Sequence, residues 1–113
     1  MKEITAIIQP HTLSRVMRAL HALPHFPGLT LLDAHGQGRG RGAGGAFQPT
    51  EDDFTFHKKT VLLVTCEATQ ADSIAATIAQ AAHTGNKGDG LISIKDVASV
   101  IRIRTGETAG QAL

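Results

Sequence analysis

The chain has no tryptophan and no tyrosine, and its only ring-bearing aromatics besides histidine are four phenylalanines. Its core must therefore be aliphatic, built from Ile, Leu, Val and Ala. There is one cysteine, Cys66, which excludes an intrachain disulfide and points to a reducing compartment. No apolar run reaches the roughly 18 residues of a membrane span, and no basic-apolar-small pattern opens the chain. Charge of one sign is also missing: a net +1 gives no reason to expect nucleic acid or a membrane surface as a partner. What remains is 113 residues, 42% hydrophobic, enough for one domain with one core. A small, soluble, cytoplasmic domain is expected.

Proline and glycine punctuate what is there. Residues 2–9 (KEITAIIQ) place Ile4, Ala6 and Ile8 on one face and Thr5 and Ile7 on the other, a short strand ended by Pro10. Thr12 is suited to cap a helix over roughly residues 13–22. Its apolar stripe is Leu13, Val16, Met17, Leu20 and Leu23, and Pro24 stops it. After the PHFPG turn, residues 28–35 read as a second strand, and residues 55–66 carry the longest strand pattern. TQAD at 69–72 predicts a second helix with Asp72 at its start and Ile74, Ala75, Ile78 and Ala81 or Ala82 on its inner face. Residues 91–94 predict a further strand, and residues 100–104 alternate Val100, Arg102 and Arg104 against Ile101 and Ile103.

The order is strand, helix, strand, a long loop, then strand, helix, strand. Two such halves predict a ferredoxin-like α+β layer, a four-stranded antiparallel sheet with both helices on one face. The other face would still carry Ile and Val, which argues for covering it by self-association.

Two glycine-rich stretches stand apart from this frame. Residues 36–45 hold six of the twelve glycines, with Arg39 and Arg41 among them, and an acidic patch (Glu51, Asp52, Asp53) follows. Such a segment cannot bury enough apolar surface to order itself, so it reads as a long exposed loop, for interaction or simply passive. The second stretch, TGNKGDGL at 84–91, has Gly85, Gly88 and Gly90 within six positions between a helix and a strand. Consecutive exposed N–H groups there form an anion-binding concavity, or else an ordinary tight turn. It matches neither GxxxxGK[ST] nor GxGxxG.

Taken together, these residues resemble the PII nitrogen-regulatory signal-transduction proteins. MKEITAIIQPHTL is similar to that family's KxIxAIIxPxKL opening, GQGRG at 36–40 to its GFGRQ entry to the long T-loop, and TGNKGDG with IRIRTGE at 101–107 to its C-terminal signature. The resemblance spans nearly the whole chain except residues 43–55. It implies one PII-like domain over 1–113 with a T-loop at about 36–55, a homotrimer, and adenine nucleotides bound in clefts between subunits. Carried over, Gly36, Gln37, Gly38 and Arg39 stand at the T-loop base, and Thr84, Gly85, Gly88, Asp89 and Gly90 form the glycine loop. Lys58 matches the lysine that closes the T-loop, and Arg102 and Arg104 face the phosphates from the next subunit.

Local chemistry is compatible with those roles. Two arginines two apart on a strand share a face, which suits a grip on one polyphosphate, although a solvated strand face has the same pattern. Lys59 adjoins Lys58, so a shift of one residue in register exchanges their roles. Thr84 suits a helix cap and a nucleotide contact alike. Asp89 is structural or ribose-directed rather than a metal ligand, since no second carboxylate lies near it.

The departures from the family pattern carry as much meaning. The T-loop glutamine that helps place magnesium and 2-oxoglutarate in the family is Gly40 here, which has no amide oxygen to offer. The lysine that usually follows GDG is Leu91, so ADP or AMP should be favoured over ATP in relative terms. With no tyrosine, T-loop uridylylation or adenylylation cannot occur. The pattern is that of a side branch, of a kind associated with bicarbonate or carboxysome functions or with metal-efflux gene clusters. Arg39 and Arg41 are suited to clamp a small anion such as bicarbonate. The six histidines show no metal-ligand spacing except His21 and His25, which Pro24 separates, so no metal site is expected. The leading expectation is a non-enzymatic regulator without a cofactor. It binds ADP or AMP, and ATP less well, and docks an unknown enzyme or transporter through its T-loop.

Overall fold

The computed structural model describes residues 1–38 and 56–113, so Arg39, Gly40 and Arg41 and most of the long loop lie outside the described residues. Four strands, β1 (Lys2–Ile8), β2 (Thr30–Gly36), β3 (His57–Cys66) and β4 (Gly90–Asp96), and two helices, α1 (Leu13–His21) and α2 (Ala68–Ala82), make up the described domain. The sheet order is β2-β3-β1-β4, with every neighbouring pair antiparallel. This is the expected ferredoxin-like layer.

Register and alternation decide the faces. Ile4 pairs with Val64 and Ile94, and Ala6 with Leu62 and Ile92. These side chains point toward the helices, because successive strand residues alternate sides. Ile4, Ala6, Ile8, Leu62, Val64 and Cys66 are fully buried against Val16, Leu20, Ile74 and Ile78. Each large aliphatic there contributes about 1.5–3 kcal/mol of burial. Within this core, burial pushes the Cys66 thiol above its ordinary pKa. The opposite face carries Thr5, Ile7, Val61, Leu63 and Thr65, all half-buried, with Leu32 and Leu91 exposed beside them.

Three local expectations change. Thr12 stands at the α1 N-cap position but makes no side-chain cap. A 3-10 turn over Pro10–Thr12 precedes the helix, and the Thr12 hydroxyl donates back to the Gln9 carbonyl at 2.8 Å. Helix α2 begins at Ala68, one turn before Asp72, because the Gln70 N–H already closes on the Glu67 carbonyl at 3.0 Å. Residues 100–104 are not a strand. A single bridge joins Ile101 to Thr108, and the chain doubles back between them through Gly106, whose φ is +74°.

Candidate functional site

Helix α2 ends at Ala82 because His83 takes an extended conformation, with ψ 127°. Arg15 of α1 supports this end, its Nε donating to the Ala81 carbonyl at 2.5 Å. The glycine loop that follows is organised on one carboxylate. Asp89 Oδ2 accepts the backbone N–H groups of Thr84 at 2.8 Å and Gly85 at 2.9 Å, and the Thr84 hydroxyl donates to Oδ1. The same hydroxyl accepts the Asn86 N–H at 3.1 Å, so Thr84 and Asp89 close the loop from both ends. These bonds to the ionised form, the Thr84 hydroxyl first, lower the Asp89 pKa to about 2. Of the two roles open to Asp89, the structural one is visible.

Two glycines are required by geometry. At Gly90, with φ +104°, a Cβ would stand 1.7 Å from the Ile7 carbonyl oxygen, so β4 enters the sheet only through a residue without a side chain. At Gly88, with φ +90°, a Cβ would lie 2.7 Å from Gln9 Nε2 and 3.4 Å from Lys59 Nζ. Two side-chain donors thus converge on the loop, and the Lys59 ammonium donates to the Gly88 carbonyl at 2.6 Å.

The lysine at the loop is Lys59, not Lys58. Lys58 pairs with His35 and shares parity with Thr60 and Leu62, on the helix side of the sheet, where it is exposed. Lys59 shares parity with Val61 and Leu63. Alternation along β3 was the available signal, since it separates the two lysines onto opposite faces. Lys59 also packs beside Gly36, the last residue of β2: a Cβ on Gly36 would touch Lys59 Cγ at 3.4 Å. Gln37 and Gly38 continue from Gly36 as exposed residues. A shallow hollow of about 340 Å³ opens beside the loop, lined by Ile7, Ala82, His83, Asp89, Gly90 and Leu91.

Arg102 and Arg104 are elsewhere. Arg102 is held by its own hairpin, its N–H donating to the Glu107 carbonyl at 2.8 Å and its carbonyl accepting from Gly106 at 2.7 Å. It lines a second hollow of about 400 Å³ with Glu3, Gly28, Thr30, Leu63 and Thr65. Glu3 lies near the start of β1 and Ile8 at its end, roughly 17 Å apart at about 3.3 Å per residue. The two arginines therefore do not share a strand face, and one chain does not bring Arg102 to its own glycine loop. Arg104 is exposed. Among the described residues, no group of three or more His, Cys, Asp or Glu could hold a metal ion, and no helix is long and apolar enough to cross a membrane.

The family model described as nitrogen regulatory protein P-II matches residues 1–107. The chain is 40% identical over 113 residues to nitrogen regulatory protein P-II of Azospirillum brasilense, covering all of both chains. It is 36% identical over 113 residues to nitrogen regulatory protein GlnK of Escherichia coli strain K12, again covering all of both. Among solved structures, Arabidopsis thaliana PII bound to citrate superposes with a TM-score of 0.79 at 30% identity, over 99% of this chain and 91% of that one.

Proposed function

This chain belongs to the nitrogen regulatory protein P-II family, and from that premise we propose that it is a cytoplasmic adenine-nucleotide sensor that controls a partner protein through the segment at about 36–55. It acts by binding and not by catalysis: nucleotide in the cleft biases the segment that starts at Gly36, and a partner reads it. The observation that carries this reading is the convergence of Gly88, Gly90, Gln9 and Lys59 at the end of the sheet where β2 stops at Gly36. A glycine turn whose main chain a ligand can approach closely, with one ammonium beside it, suits the phosphates of a nucleotide.

The separation of Arg102 from the loop favours a site completed by a second copy, as in the homotrimer that the family resemblance implies, and such an assembly would also cover the open face around Ile7 and Leu63. Leu91, 62% exposed at the mouth of the hollow, offers no charge to a third phosphate, which favours ADP or AMP over ATP. The bicarbonate reading depends on Arg39 and Arg41, outside the described residues, and no structural observation favours it or a metal-linked role. Titration calorimetry with AMP, ADP and ATP, each with and without 2-oxoglutarate, tests the proposal. ADP is expected to bind at least as tightly as ATP, without 2-oxoglutarate enhancement. Much tighter ATP binding that 2-oxoglutarate enhances overturns the preference, and no binding of any nucleotide overturns the function.

A further inference from the structure

The hollow beside the glycine loop is mostly apolar, and among the described residues two of those that line it titrate, Asp89 and His83. Asp89 is committed to Thr84 and Gly85. His83 is not buried: its side chain is 73% exposed at the rim, with Nδ1 3.8 Å from Asp89 Oδ2. Its ring lies over the loop, Nε2 standing 3.7 Å from where a Gly85 Cβ would be. The other charged groups around this corner come from each packed element: Lys59 of β3 on the Gly88 carbonyl, Arg15 of α1 on the Ala81 carbonyl, and Lys87 within the loop itself.

We propose that His83 is a ligand-binding residue of this cleft, a second cation at the glycine loop that is present only when its imidazole is protonated. Resting on the nucleotide reading above, this assigns a phosphate oxygen of a nucleoside diphosphate as its contact. Imidazole is the side chain that gains charge between about pH 8 and pH 5. Asp89 is ionised throughout that range and its Oδ2 stands 3.8 Å from Nδ1, while Nε2 lies on the side of Gly85, at the loop where the ligand would sit. The loop thereby holds anions more tightly as pH falls.

Calorimetry of ADP at pH 8 and pH 6 tests this with wild type, His83→Gln and His83→Arg. The terminal phosphate of ADP itself takes up a proton near about pH 6, so the quantity read is the ratio of wild-type to His83→Gln affinity at each pH. That ratio is expected near one at pH 8 and about three to ten at pH 6. His83→Arg should bind at pH 8 about three to ten times more tightly than wild type. A ratio near one at both pH values, or no gain in His83→Arg, overturns the role of His83 while ADP binding itself persists. Absence of ADP binding in all three proteins overturns the nucleotide reading and this role with it. Matching thermal melts of the three proteins keep a folding defect separate from a lost contact.

Discussion

The α-carbon of Gly90 lies against the main chain of Ile7, so close that a methyl group there would overlap the Ile7 carbonyl oxygen at 1.7 Å. The opposing atom belongs to an interior strand, which cannot move aside as a flexible side chain would. Gly90→Ala should therefore cost about 3 kcal/mol or more, combining the clash with a positive φ that alanine adopts poorly. Urea unfolding of both proteins checks this. A midpoint shift worth less than about 1 kcal/mol would mean that β4 can enter the sheet another way.

The Asp89 carboxylate sets a pH dependence whose sign follows from its lowered pKa. Its folded-state value of about 2 is below the ordinary carboxylate range, so the unfolded chain takes up its proton first as pH falls. The stabilisation from its bonds to Thr84 and Gly85 is complete above about pH 4 and is lost as pH drops through about 2. Backbone amide shifts of Thr84 and Gly85, followed by NMR, should titrate with a midpoint near about 2 in the wild type. In Asp89→Asn that titration should disappear.

The two adjacent lysines are expected to behave differently. Lys59→Met removes the charge-assisted bond to the Gly88 carbonyl and one of two donors over the loop, and should weaken ADP binding about tenfold. Lys58→Met, on the opposite side of the sheet, should change it by less than about twofold. Calorimetry on both variants decides the assignment, and a reversed order would restore Lys58.

If the cleft is completed by a neighbouring copy, two defective proteins should complement each other. Lys59→Met impairs the loop half and Arg102→Ala the arginine half. Mixing them after unfolding and refolding should return wild-type ADP affinity to about a quarter of the sites, since each half is intact with even odds. No recovery would place both halves in one subunit.

Much of the fold was legible because it rests on local rules. The alternation in residues 2–8 and the stripes of Val16, Leu20, Ile74 and Ile78 describe faces that only one layering can bury. The glycine loop was legible for a similar reason, since positive φ leaves a mark in composition. Residues 100–104 misled because their alternation satisfies the strand pattern while Gly106 and the bridge from Ile101 to Thr108 turn the chain back. Asp72 misled because Glu67 offers its carbonyl to Gln70 a turn earlier.

By itself, the sequence determined the layer, the core and the presence of a glycine turn between a helix and a strand, since each depends on residue type and short-range spacing. Only the tertiary structure decided which side chains meet. Register across β1, β3 and β4 put Lys59 and Gln9 over Gly88 and left Lys58 outside. The turn at His83 brought an imidazole to Asp89, and the hairpin at Arg102 kept that arginine at the far end of the sheet. Gln9 and Lys59 are distant from Gly88 in the chain, and a one-residue slip in a strand reverses every face, so spacing within one segment cannot specify their meeting.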